Sequence, residues 1–201
     1  MRIAGANTNT VLFQPSSGGG VYLRHPHIND YEAWANLRLE SREFLTPWEP
    51  TWNHDHLGHP AYKTRLSRFK KMVASGEGYP FHVFRASDNA LVGACNLTDV
   101  QRKVAQKVSL GYWIGERYIR QGFARAAVRA ACKFSFETLA LHRVEAAVRA
   151  ENAPSRALLE LLGFHHEGTA RGYLKIDGDW RDHELYAKLS HDRERPPAHE
   201  G

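Results

Sequence analysis

The stretch Arg120-Gln121-Gly122-Phe123-Ala124-Arg125 follows an alternating apolar run, Val108 to Ile114, and passes without a break into the alanine-rich AAVRAACKF. A glycine and small residues at a helix start leave the first-turn N–H groups uncovered, at the positive end of the helix dipole. That is a place for an anion such as a phosphate. Arg117, Arg120 and Arg125 supply countercharge. The plain structural alternative is a helix start kept small so that it packs closely on a sheet. A Walker-type phosphate loop is excluded because no Gly-Lys-Ser/Thr follows, and the GxGxxG of a dinucleotide fold is missing.

A second set of polar residues opens another helix. In Asn152-Ala153-Pro154-Ser155, Asn and Ser are ordinary cap residues and Pro suits a first turn. The histidines of NHDHLGH (53–59) and HPH (25–27) suggest metal ligation at first sight. They sit in polar loop sequence without the i, i+4 helical spacing of a catalytic zinc site, so no metal is expected. Cys95 and Cys132 have neither CxxC spacing nor a partner motif and read as buried small hydrophobes.

The elements that must position these residues follow from periodicity and turn chemistry. Val21–Arg24 reads as a strand; Asn29 or Asp30 caps a helix to about Ser41 carrying Tyr31, Trp34 and Leu37. FLTPWEPTW (44–52), with two prolines among aromatics, reads as an ordered loop. Residues 61–75 return to helical spacing, and 81–85, 91–98 and 107–114 are strands. A helix over about 122–139, a strand over 142–149 and a helix from 152 to Gly163 follow. Two strands around Asp177-Gly178 complete the order β-α-α-β-β-β-α-β-α-β-β. This is a mixed α/β (α+β) domain on a mostly antiparallel sheet, with parallel pairing where a helix crosses over. Residues 1–20, ending SSGGG, read as a flexible arm, 21–190 as one domain and 191–201 as a polar tail.

With 201 residues, 42% hydrophobic and 24% charged, the chain has the composition of a globular protein with one sizeable core. No stretch approaches the ~18 apolar residues of a membrane span, and the N-terminus lacks a continuous apolar segment, so a cytoplasmic protein is expected. The net charge of +5 suits a nucleic-acid binder, a ribosome-associated protein or a pocket for a polyanionic cofactor. The basic residues look scattered along the chain, which favours a local phosphate site over direct nucleic-acid binding.

Strand, RQGFARA, helix, HRVEAAV, then ENAPSRALLELLGF is an order that resembles the GCN5-related N-acetyltransferases (GNAT), whose phosphate signature is Q/R-x-x-G-x-G/A. Gly122 and Ala124 fit its last two fixed positions, whereas Ile119 stands at the first. FLTPWEP, SLGYWIG and GYLKIDGDWRDHELYA extend the likeness to the RimJ type of ribosomal-protein-alanine N-acetyltransferase, over most of 21–190. The resemblance implies a GNAT fold, with about 6–7 strands flanked by about 4 helices. It further implies acetyl-CoA as donor and a protein N-terminal amine as acceptor. Trp113 and Ile114 would offer backbone groups to the pantetheine arm, Arg120 to Arg125 (with Gln121, Gly122, Phe123 and Ala124) would hold the pyrophosphate, and Asn152 would bind the pantetheine amide. Ser155 would lie near the thioester sulfur as acid or orienting donor; Leu159 stands where many members carry a tyrosine for that task. Trp48, Glu49 and Tyr173 would border the acceptor groove. For the base, Glu145 is the first candidate, as it faces away from Val144, Ala146 and Val148; a surface salt bridge is its alternative role. Glu49, Asp99 and a water relay are rivals. Two other functions are compatible with the same residues: acetylation of a small amine such as an antibiotic or polyamine, and a non-enzymatic ribosome- or RNA-associated module that retains the pocket.

Overall fold

The structure, a computed structural model, describes residues 9–16 and 19–194. Residues 1–8, 17–18 and 195–201, which make up much of the expected arm and tail, lie outside the described residues. One eight-stranded sheet runs in the order β1-β2-β3-β4-β5-β6-β8-β7. Its strands are β1 (Val11–Gln14), β2 (Val21–Arg24), β3 (Tyr79–Arg85), β4 (Leu91–Gln101), β5 (Lys107–Ile114), β6 (Arg143–Val148), β7 (His165–Ile176) and β8 (Asp179–Leu189). The helices are α1 (Tyr31–Glu40), α2 (Arg42–Leu45), α3 (His59–Ser75), α4 (Phe123–Lys133) and α5 (Ala153–Leu161). Every pairing is antiparallel except β5 with β6, the two strands that α4 connects.

Three local readings of the sequence are corrected. The expected arm contains β1, which pairs Val11 with Arg24 through Gln14 with Val21; four residues beside a glycine-rich run carry too short an alternation to stand out. The expected loop at 44–52 opens with α2 and a 3-10 turn, Thr46–Trp48, in which Pro47 occupies an early position where its missing N–H costs nothing. The helix expected to run to 139 is α4 followed by a π turn, Phe134–Thr138. The exposed positions of α3 include Lys63, Arg68, Lys70 and Lys71.

Side chains alternate across a strand, and this divides the functional residues between two faces of the sheet. On β5, Val108, Leu110, Tyr112 and Ile114 look toward α4 and α5, while Trp113 looks toward α1, its ring 4.9 Å from the Arg38 guanidinium. Helix α4 packs on the first face through Phe123, Ala126, Ala127, Ala130 and Ala131, all buried. Alanine at these positions lets the helix lie close enough for the Ala127 carbonyl to come within 3.9 Å of the Cys95 thiol. Cys95 and Cys132 are both free and buried, and burial raises both thiols, Cys132 to about 12. They pack and stay protonated.

The second face is closed by the segment joining α1 to α3. Arg38, 4% exposed, donates to both carboxylate oxygens of Glu49, at 2.7 and 2.5 Å. The Trp52 indole N–H donates to the same carboxylate at 2.9 Å, and the Arg38 guanidinium stacks 4.2 Å from the Trp52 ring. His56 stacks on Trp52 at 4.8 Å. Burial and then the nearby Arg65 and Arg38 charges lower the His56 imidazole to about 4, so it packs here as a neutral ring. At the far end of the segment the Glu49 carbonyl accepts from Asp177 N–H in the β7–β8 turn, at 3.0 Å. Replacing Glu49 with Gln leaves a nearly buried guanidinium without its countercharge, a change that costs about 2–3 kcal/mol. For a chain of this size that lowers the melting temperature by roughly 4–12 °C, measurable by circular dichroism; an unchanged melting temperature would show that the clasp is not what holds the segment.

Candidate active site

The site originates in a failure of pairing. β5 and β6 match over three positions only, Lys107 with Arg143, Val108 with Val144 and Ser109 with Glu145. Beyond Ser109, β5 continues against β4 alone and β6 against β8 alone, so the sheet opens into a fork. A cavity of about 170 Å³ fills the fork, lined by Leu110, Gly111 and Tyr112 on one side and Ala146, Ala147 and Val148 on the other. Nothing stands within 4 Å of where a Gly111 Cβ would sit, so the fork has room for a ligand beside the β5 backbone. From Leu110 onward that edge of β5, including Trp113 and Ile114, has no strand partner among the described residues and suits an extended, amide-bearing ligand.

On the α4–α5 face, the helix start has the form expected from RQGFAR. Gly122 is the N-cap of α4, at φ 79°, a left-handed conformation that favours glycine. No side chain caps the helix and no acidic residue lies in its first turn. Arg120 is also left-handed, at φ 59°. The first-turn N–H groups of Phe123, Ala124 and Arg125 therefore stand where an anion can take them. The countercharge is unevenly available: Arg117 pairs with Glu40 at 3.0 Å and Arg125 lies 3.9 Å from Glu194, whereas the exposed Arg120 has no ion-pair partner among the described residues. Gln121 is turned back, its side-chain N–H donating to the Arg117 carbonyl.

At the mouth of α5 the two polar residues separate their tasks. The Asn152 side chain accepts from Ser155 N–H at 3.2 Å, so Asn152 is the cap. The Ser155 hydroxyl is free of capping and meets the Tyr112 hydroxyl at 2.6 Å across the cavity. Burial, opposed only in part by the Ser155 hydrogen bond, pushes the Tyr112 phenol well above its usual value. It stays protonated and able to donate. Tyr112 was not singled out from the sequence, because on β5 it occupies a core-facing position between Leu110 and Ile114.

The opposite mouth opens between the clasped segment and the β7–β8 hairpin. Trp48 lines it, 5.6 Å from the Arg149 guanidinium, which donates to the Pro47 carbonyl at 2.8 Å. Glu49 lies behind Trp48 with both oxygens engaged, so it positions the aromatic wall. Tyr173 is half exposed at a bulge where Ala170 pairs with His183 but Leu174 pairs with Arg181. Its ring lies 6.0 Å from that of His183, which is 3% exposed and lines the cavity. His183 was also missed, because β8 reads DWRDHELYAKL and a histidine among so many charged residues does not stand out as an inward position.

Glu145 stands at the closed end of the fork. Lys107 donates to it at 2.9 Å and Arg143 at 2.7 Å. Burial works to raise its carboxyl, and these two cations more than offset it, leaving Glu145 below the usual carboxylate range. Such a group is a poor proton acceptor, so its geometry is that of the salt bridge rather than the base. Asp99 is exposed in the bulge of β4, accepting from Thr98. A larger cavity, about 810 Å³, lies away from the fork between β2 and α3. Of the charged residues that line it, Arg24 and Asp30 are spent on each other, and Lys70 is the third. Among the described residues no group of three or more His, Cys, Asp or Glu is placed to hold a metal ion, and no helix is long and apolar enough to cross a membrane.

Comparison with known proteins agrees with this architecture. The model of the acetyltransferase (GNAT) domain matches residues 21–165. A probable N-acetyltransferase of Bacillus subtilis, YjcK, is 33% identical over 178 residues, 89% of this chain and 98% of that protein. The [ribosomal protein uS5]-alanine N-acetyltransferase of Escherichia coli is 34% identical over 167 residues, 82% of this chain and 86% of its own. Among solved structures, Mycobacterium smegmatis RimJ in complex with CoA-disulfide superposes with a TM-score of 0.85 at 33% identity, covering 90% of this chain and 88% of that one. A forked sheet, an uncapped helix start beside it and these relatives lead to one conclusion: the chain belongs to the GNAT family and is an N-acetyltransferase of the RimJ type.

Proposed function

We propose that the protein, as one catalytic unit over 21–190, transfers acetyl from acetyl-CoA to the α-amine of a protein N-terminus, with an alanine-starting ribosomal protein as the acceptor class and the cytoplasm as its setting. The observation that carries the transfer reading is the 2.6 Å pair of Tyr112 and Ser155 hydroxyls inside the fork. The acceptor class rests on the likeness to the E. coli uS5-alanine enzyme.

Acetyl transfer asks for a held donor, a free amine and relief of charge on the departing sulfur. The uncapped N-terminus of α4 suits the pyrophosphate, with Arg120 as countercharge. The open edge of β5 at Trp113 and Ile114 suits the pantetheine amides, which pair with backbone as a strand would. Asn152 is spent on its cap through Oδ1, leaving its amide N–H groups for the same arm. The thioester then reaches the fork from the α4–α5 face, beside Ser155. Tyr112, held protonated, donates to the Ser155 oxygen, and Ser155 turns its own proton to the sulfur as negative charge develops there. Trp48 and Tyr173 border the opposite mouth, where an extended N-terminus enters.

Ala124→Asp places a carboxylate among the first-turn N–H groups of α4, and acetyl-CoA binding should weaken at least about tenfold; isothermal titration at wild-type affinity would remove the phosphate assignment.

Because Asn152 supplies the cap, Ser155→Ala keeps it. We expect kcat to fall roughly 100-fold, with donor affinity and melting temperature near those of the wild type, and Tyr112→Phe to lower kcat in the same direction. A loss of melting temperature with kcat intact would return Ser155 to a purely structural role.

A peptide beginning with alanine should be acetylated at its α-amine and spared at an internal lysine. At neutral pH more of an amine with a reference pKa of ~8 is free base than of one at ~10.4. Tandem mass spectrometry localises the group; acetyl on lysine, or turnover of small amines only, would overturn the protein N-terminus reading.

A further inference from the structure

We propose that His183 is the general base of the transfer, taking the proton from the acceptor ammonium at its Nε2. This deepens the acetyltransferase reading and rests on it.

The geometry begins with the register of β8. Glu184 pairs with Val148 and Leu185 with Ala147, so His183 shares the face of Leu185 and Ala147, opposite to that of Tyr186, which reaches α5. The cavity passes through the sheet between these faces. Ser155 and Tyr112 serve the side from which the donor comes. His183 serves the other, with Trp48 and Tyr173, where the amine arrives. A proton acceptor for the nucleophile and a proton donor for the leaving group thus stand at separate places around the reacting carbon, so that different groups serve the amine and the sulfur.

The tautomer follows from one hydrogen bond. Nδ1 of His183 lies 2.9 Å from the Arg181 carbonyl oxygen. A carbonyl only accepts, so Nδ1 carries the proton and Nε2 keeps its lone pair. Other charged and titratable groups share its surroundings. Arg149, from the end of β6, lines the same cavity and is tied to Glu151 at 3.2 Å and to the Pro47 carbonyl. Tyr173 on β7 and Tyr112 on β5 are the other titratable groups facing it, and Arg181 on its own strand pairs with Asp179 at 2.8 Å. Of the carboxylates considered for the base, Glu145 and Glu49 are each bound by cations, and Asp99 lies in the β4 bulge and does not line the fork.

In the step itself, one ammonium proton moves to Nε2 and the freed lone pair forms the C–N bond at the thioester carbonyl. The C–S bond breaks with its electron pair on sulfur. The thiolate is protonated through the Ser155 and Tyr112 hydroxyls, and the second nitrogen proton replaces the one they give. The imidazolium returns its proton to water, leaving amide, thiol and one released proton.

The test is the pH profile of kcat/KM for an alanine-starting peptide, with the full-length wild type and His183→Asn. The Asn side-chain N–H occupies the place of Nδ1–H and keeps the bond to the Arg181 carbonyl while deleting Nε2. We expect kcat/KM at pH 7 to fall about 100-fold, with acetyl-CoA affinity unchanged. The acid limb of the wild type should lie below the titration of the peptide amine, and in the variant it should move up onto the amine's own titration near ~8. His183→Gln, which offers no equivalent base, should behave alike if it folds. A parallel loss at every pH, or an unchanged limb, overturns the assignment of the base while leaving the acetyltransferase reading in place. Absence of transfer by the wild type to any amine overturns both.

Discussion

The three-residue match between β5 and β6 is the constraint on which the rest of the molecule depends. A parallel pair that ran its full length would seal the sheet. Because it ends at Ser109, the strands separate with their backbone edges open, and each is kept flat and ordered by its other neighbour, β4 or β8. The cost of leaving strand edges unpaired is met by the buried core beneath them: Val108, Val144, Ala127 and Ala131 are fully buried where α4 covers the closed end. Lys107, Arg143 and Glu145 sit at the point of divergence and fasten it on the opposite face.

From that opening the division of labour follows from strand alternation. The α4–α5 face offers an uncapped helix start and two hydroxyls; the other face offers an aromatic wall and an imidazole. Neither set reaches the other except through the fork. The clasp of Arg38 and Glu49 acts at one remove, since it fixes the segment that carries Trp48, and the Asp177 N–H bond to the Glu49 carbonyl ties the β7–β8 turn to the same segment. Both walls of the mouth opposite α4 and α5 are thus fastened to one buried guanidinium.

Much of this is legible in the amino-acid sequence because it is local. Gly122 and its small neighbours announce the helix start, Asn152 and Pro154 announce α5, and alternation announces β5 and β6. What stays hidden depends on register and on partners far apart in the chain. Tyr112 and Ser155 are 43 residues apart, and only the face on which β5 presents its side chains brings them together. Glu145 looks available in a strand that alternates VEAAV, yet Lys107, 38 residues away, claims it. The same holds for Glu49, which reads as a groove residue until Arg38 is seen beneath it. β1 and α2 were missed for another reason: elements of four residues carry too little periodicity for sequence to resolve, and tertiary pairing decides them.

The most direct test of the account is a crystal structure with coenzyme A bound. The account predicts the pyrophosphate on the N–H groups of residues 123–125, the pantetheine arm along the free edge of β5, and the sulfur within hydrogen-bonding distance of the Ser155 hydroxyl on the α4–α5 side of the fork. A coenzyme seated on the opposite mouth, or a sulfur remote from Ser155 and Tyr112, would contradict it.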